Sequence, residues 1–151
     1  MNNTEDLIPW GPALVTGITR IDEQHRVLVD MCNEAHVLLQ QHATTERTKG
    51  IVRDLMSYAL YHFETEEELA DSCGYNDAHA EENAKHREQH RAFANAVAGM
   101  QLDMSRGIAV SIEALFDFLR SWLTNHILGM DMELGKFINS KNGAAGNPSS
   151  A

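Results

Sequence analysis

Proline is almost missing from this 151-residue chain: there are three, and Pro9 and Pro12 fall within the first twelve residues. The long middle is therefore free of the residue that most effectively breaks helices. No apolar run approaches the ~20 residues that a membrane-spanning helix needs, and Met1 to Gly11 lacks the basic-then-apolar order of a signal peptide. Basic residues are also few, 12 against 22 acidic. The formal charge of −10 repels phosphate, which argues against nucleic acid or an anionic membrane as partner. Cysteine is scarce: Cys32 and Cys73 form no C-x-x-C pair and suit a reducing compartment, so a cytoplasmic protein is expected. The length fits one domain around a single core.

What the chain does have is eight histidines and a repeated helical pattern. From Ile18 onward apolar residues recur at mixed three-and-four spacing, which marks a helix that buries one face. The first stripe runs Ile18, Ile21, His25, Leu28, Cys32, Ala35 and Leu39, with Thr19-Arg20-Ile21-Asp22 as a candidate capping box. The second carries Ile51, Leu55, Tyr58, His62, Glu66 and Leu69. The third starts near Asp77 or Ala80 and aligns His86, His90, Phe93, Val97, Met100 and Met104. The fourth follows the Ser105-Arg106-Gly107 break with Ile108, Ile112, Leu115, Leu119, Trp122 and His126.

Short connections between helices of ~20 residues, each roughly 30 Å long, favour antiparallel neighbours. The fold class is therefore all-α, an up-down-up-down antiparallel four-helix bundle with an extended N-terminal arm. Residues 1–17 are expected to form the arm, with Trp10 packed on the bundle, and 18–140 the bundle itself. Residues 141–151, rich in Gly, Ala, Ser and Asn, bury too little to offset their ordering entropy and read as a flexible tail.

On all four stripes a histidine or carboxylate interrupts the apolar sequence where a core residue belongs. Burying such a group is costly unless it is paired or ligates a metal. His62 and Glu66 are four apart, as are His86 and His90, so each pair projects from adjacent turns of one helix. A single histidine on an apolar stripe is ordinarily a hydrogen-bonded core residue. Four helices that each aim such groups inward make a metal site the better reading. His36, His42 and His79 stay in the ordinary class, since His36 lies about 16 Å along the helix from His25.

A donor set dominated by imidazole suits iron, copper, nickel or zinc better than magnesium or calcium. The zinc-protease pattern H-E-x-x-H is absent, because His86-Arg87-Glu88-Gln89-His90 places its glutamate elsewhere. No C-x-x-C-H haem attachment occurs, and no histidine has glutamate three residues before it, as carboxylate-rich di-iron bundles require.

From about Trp10 to Lys136 these residues resemble the hemerythrins, and in particular the single-domain bacterial ones. The resemblance rests on Gly17-Ile18 with Ile21-Asp22-Glu23-Gln24-His25, on His62-Phe63 followed by Glu66-Glu67, and on His86 with His90. It is completed by Trp122-Leu123-Thr124-Asn125-His126-Ile127 followed by Asp131. It implies two iron ions bridged by an oxo or hydroxo group. His86, His90 and His126 would complete one iron, while His25 and His62 would hold the other and leave one position open. Glu66 and Asp131 would bridge the two. Asp131 lies five residues past His126, about 140° around an ideal helix, so a wider π turn eased by Gly129 is expected between them. One departure stands out: where the family has a Gly-Tyr-Pro turn, this chain has Cys73-Gly74-Tyr75-Asn76-Asp77. The spacing from Glu66 to His86 is also longer by about one helical turn plus a residue.

The implied function is reversible binding of molecular oxygen, for carriage, storage or delivery to an unidentified oxygen-consuming protein. A histidine-rich iron pair is less anionic than a carboxylate-rich one and is expected to stop short of O–O cleavage. Leu28, Phe63, Trp122 and Leu123, each within a turn of a ligand, are the candidate oxygen pocket, though ordinary core packing explains them equally. No catalytic residues are assigned. A di-iron peroxidase or nitric oxide reductase is the alternative. An oxygen or redox sensor ranks third, because it would normally carry an output domain.

Overall fold

The computed structural model of the chain describes residue 8 and residues 10–41, 44–108, 110 and 112–144. Every regular element among the described residues is helical. The elements are α1 (Thr19–Gln40), α2 (Thr45–Cys73), a short α3 (Tyr75–Ala78), α4 (Ala80–Ser105) and α5 (Ile112–His126). After α5 the backbone widens into a π-helical segment, Ile127–Asp131, and continues as α6 (Met132–Ala144). The last three pieces form one rod, which with α1, α2 and α4 makes the expected bundle of four, successive rods antiparallel.

Local sequence explains where the rods begin and end. Thr44 caps α2, its hydroxyl accepting a hydrogen bond from Arg47 N at 3.1 Å; loss of such a cap costs ~1 kcal/mol. Gly74 closes α2 in the left-handed region at φ 80°, where a side chain is disfavoured. The extra residues between Glu66 and His86 are absorbed there, since α3 adds a turn that buries Tyr75 before α4 starts.

The start of α1 departs from the sequence expectation. The carboxylate of Asp22 does not pair with Thr19; it reaches back to accept from Thr16 N (2.8 Å), Thr16 Oγ1 (2.8 Å) and Gly17 N (3.1 Å). Thr16 Oγ1 in turn accepts from Ile18 N at 3.1 Å. The cap thus lies upstream, where the chain turns off α6: a Cβ on Gly135 would lie 2.9 Å from the Thr16 carbonyl oxygen, so only glycine permits this close approach.

Other expectations shift as well. Ile108 is not part of the fourth stripe; α5 begins at Ile112, and Ile108 is 51 % exposed after the reversal at Gly107 (φ 78°). The final helix runs to Ala144, past residue 141, where the flexible tail was expected; 145–151 lie outside the described residues. In the arm, Ile8 and Leu14 are buried, Pro12–Leu14 form a 3-10 turn, and Arg26 lies over the Trp10 ring at 5.4 Å; residues 1–7 and Pro9 lie outside the description. No described helix is long and apolar enough to cross a membrane.

The interior is apolar in two parts. A larger cluster gathers Leu28, Cys32, Leu55, Phe63, Phe93, Leu119, Leu123 and Ile127 with their neighbours. A smaller one gathers Ile21, Ala70, Tyr75, Leu134 and Ile138. Between them along the rods lies a layer of buried polar side chains. Both cysteines are free, Cys32 in the large cluster and Cys73 beside the small one.

Candidate metal centre

The polar layer consists of His25 on α1, His62 and Glu66 on α2, His86 and His90 on α4, His126 at the end of α5 and Asp131 at the end of the π segment. All seven are buried. The five histidines and Glu66 sit on stripes that are otherwise core, so helical periodicity turns them inward; Asp131 is brought to the same layer by the π segment that precedes it. His36, by contrast, packs edge-on against Phe116, and exposed His79 packs against Tyr75 and Phe137. His42 lies outside the described residues.

Two donor groups emerge, and they share both carboxylates: Glu66, His86, His90, His126 and Asp131 form one, and His25, His62, Glu66 and Asp131 the other. The carboxylate oxygens divide between them. Glu66 Oε2 lies 3.2 Å from His25 Nε2 and 3.0 Å from His62 Nε2, while Oε1 lies 3.2 Å from His86 Nε2 and 3.0 Å from His90 Nε2. Asp131 Oδ2 lies 2.7 Å from His25 Nε2, while Oδ1 lies 2.9 Å from His86 Nε2 and 3.0 Å from His126 Nε2.

These contacts are short but not all are hydrogen bonds. His62 Nε2 and both Asp131 oxygens are buried and have no hydrogen-bonded partner, although they lie within 3.0 Å of complementary atoms. Their donor atoms converge on shared points. Left so, each group costs ~1–3 kcal/mol. A cation at each point removes that cost, and a set of imidazole nitrogens with carboxylate oxygens suits a borderline transition metal such as iron.

The outer nitrogens fix the tautomers that such binding needs. His62 Nδ1 donates to Gln24 Oε1 at 2.7 Å, and His126 Nδ1 to Gln89 Oε1 at 2.6 Å. His90 Nδ1 donates to Glu67 Oε2 at 2.8 Å. For His62 the direction can be traced to the backbone. Thr65 Oγ1 spends its proton on the Tyr61 carbonyl (3.2 Å) and so accepts from Gln24 Nε2 (3.2 Å), which turns the amide oxygen toward His62. The imidazole must then donate from Nδ1 and present a lone pair at Nε2. Gln24 and Glu67 stand in the motifs quoted above but were given no role there, and Thr65 and Gln89 were not assigned one either; each has a partner more than 20 residues away, and that partner reveals the role.

The carboxylates and imidazoles of the layer act on one another's charge at contact distance. Burial disfavours protonated His25 and His86, but Asp131 and Glu66 outweigh it and push both up to about 10; His126 is raised for the same reasons. Burial likewise disfavours ionised Glu66 and Asp131, yet the surrounding imidazoles hold both well below the usual carboxylate range. The two carboxylates thus favour added positive charge at the points where a cation fits.

Of the candidate pocket residues, Leu28, Phe63 and Leu123 are buried and Trp122 partly so. Phe63 stacks on His90 (4.1 Å, 10°), and Trp122 stacks on His126 (4.4 Å, 14°). Phe63 and Trp122 are 5.5 Å apart, forming an aromatic wall against the three-histidine side.

Residues 16–138 match a family model described as the hemerythrin HHE cation binding domain. The chain is 35 % identical over 128 residues to a bacteriohemerythrin of Stenotrophomonas maltophilia, covering 83 % of this chain and 77 % of that protein. It is 27 % identical over 128 residues to one from Clostridium acetobutylicum, covering 82 % and 95 %. A wild-type hemerythrin crystal structure superposes with TM-score 0.78 at 27 % identity, over 87 % of this chain and 98 % of that one.

Proposed function

Because the chain belongs to the hemerythrin family, we propose that it binds molecular oxygen reversibly at two iron ions held by His25, His62, Glu66, His86, His90, His126 and Asp131. The observation that carries this reading is the division of the carboxylate oxygens: Glu66 and Asp131 each turn one oxygen to the two-histidine group and one to the three-histidine group. Carboxylates so placed would bridge two cations, and this supports a two-metal reading. The bound irons would supply the redox centre at which oxygen is held and released.

The protein residues account for the rest. The two-histidine group offers one donor fewer, which supports an exchangeable position on that side. Two carboxylates among five neutral imidazoles make a weakly anionic donor set, which would leave a bound iron pair positively charged and disfavours O–O cleavage. Leu28, Phe63, Trp122 and Leu123 supply an apolar, water-poor surround. We assign the function to the bundle, residues 18–140, as a binding role and not a catalytic one.

The test is an absorption spectrum of iron-loaded protein under nitrogen, then air, then nitrogen again, with iron content measured alongside. Two irons per chain, no haem, and a visible charge-transfer band that appears, disappears and returns are expected. A chain that shows no reversible cycle at any oxygen pressure but turns over peroxide rapidly with a reductant is a peroxidase, and the oxygen-binding reading is then wrong.

A further inference from the structure

We propose, resting on the iron-binding reading above, that Glu67 and Arg87 form a charge relay that sets the donor strength of His90, and through it the reduction potential of the iron pair. The three outer nitrogens with identified partners are not treated alike. Those of His62 and His126 meet neutral carboxamides, Gln24 and Gln89. That of His90 meets a carboxylate, Glu67 Oε2, at 2.8 Å. A carboxylate draws on the Nδ1 proton harder than an amide oxygen does, and the electron density released appears at Nε2, the atom that faces Glu66 and His126.

Glu67 is itself held. Its other oxygen, Oε1, accepts from Arg87 Nη1 at 3.2 Å, and Arg87 Nη2 donates to Asp71 Oδ1 at 2.8 Å. The guanidinium therefore pulls charge away from the carboxylate that polarises His90, so the two side chains act on the imidazole with opposite sign. Glu67 and Arg87 are 31 % and 33 % exposed, at the boundary where the buried layer meets water. The Phe63 ring lies flat against His90, 10° from parallel, so a change at Glu67 acts through electron density and not by turning the imidazole. Glu67 and Arg87 are positioning residues: neither lies in the two groups that can take a metal.

The sign difference makes the relay testable. Spectroelectrochemical reduction potentials would be measured on the iron-loaded full chain and on Glu67→Gln, Arg87→Gln and Arg87→Lys, each after iron analysis. Glu67→Gln should weaken the oxidised state about tenfold, moving the potential up by about 59 mV for one electron. Arg87→Gln should move it down, and Arg87→Lys, which keeps the charge, should recover most of the parent value. A merely structural role would lower iron content in the first two variants without separating their potentials in opposite directions. If Glu67→Gln loads no iron, the downward shift in Arg87→Gln and its rescue by lysine decide alone. Fully loaded variants with unchanged potentials, or shifts of one sign in both, overturn the relay and leave the iron site standing. A parent chain that binds no iron overturns both.

Discussion

His126 and Asp131 are five residues apart, yet His126 Nε2 lies 3.0 Å from Asp131 Oδ1 because the backbone between them takes a π turn. In an ordinary helix that spacing points the two side chains well apart, and the residue before Asp131 would be the better placed. Exchanging the two, Met130→Asp with Asp131→Met, is expected to reduce bound iron below one per chain. Iron analysis and the absorption spectrum read the result; full occupancy would show that the wider turn is not needed.

Glu66 and Asp131 touch both histidine groups, whereas His36 and His79 touch neither. Glu66→Ala and Asp131→Ala should therefore each lose most of the iron and its visible band. His36→Ala and His79→Ala should load like the parent. Equal iron content across the four would refute the assignment.

The metal-free chain should respond to pH in a specific direction. His25 and His86 are raised from 6.5 to about 10, so their stabilising contribution is complete below about pH 6.5 and is lost as pH climbs toward 10. Glu66 and Asp131 are lowered, so theirs is present above about pH 4 and fades as pH falls further. Iron competes for the same nitrogens, so loading should release protons and its affinity should rise over the window in which the empty protein weakens. Urea midpoints at pH 6.5 and 9.5, with and without iron, decide this: the empty protein should fall and the loaded one should not.

Leu123 is buried in the apolar cluster that also holds Phe63 and against which Trp122 packs. A polar Leu123→Asn substitution should admit water and shorten the life of the oxygenated form about tenfold, in the range of changes made just outside a metal's ligands. Stopped-flow decay of the visible band measures it. A lifetime equal to the parent's would remove Leu123 from the oxygen pocket and return it to packing alone.

How much of this the sequence displays depends on the range of the interaction. The inward histidines and Glu66 are visible because each breaks a period of 3.6 that local sequence reveals. The π turn is legible as well, once His126 and Asp131 are required to meet, with Gly129 lying between them. Gly129 nonetheless has open space around it, so backbone softness and not room is its contribution. The cap at the start of α1 was misread because a capping box is a local pattern, whereas Thr16 is placed by contact with Gly135 on the far end of the chain. The hydrogen bonds of Gln24 with His62 and of Gln89 with His126 span 38 and 37 residues, and no local pattern encodes them.

The split of the apolar interior by the polar layer also bears on how the molecule breathes. Ile21, Ala70, Tyr75, Leu134 and Ile138 make too small a block to hold itself together. In the empty protein, that end should act as a separate opening unit, with its amides exchanging hydrogen at a lower free energy than those around Leu55, Phe93 and Leu119. Cations in the layer would rivet the two blocks into one cooperative unit, so the protection of Tyr75 and Leu134 becomes a gauge of loading read far from any colour change.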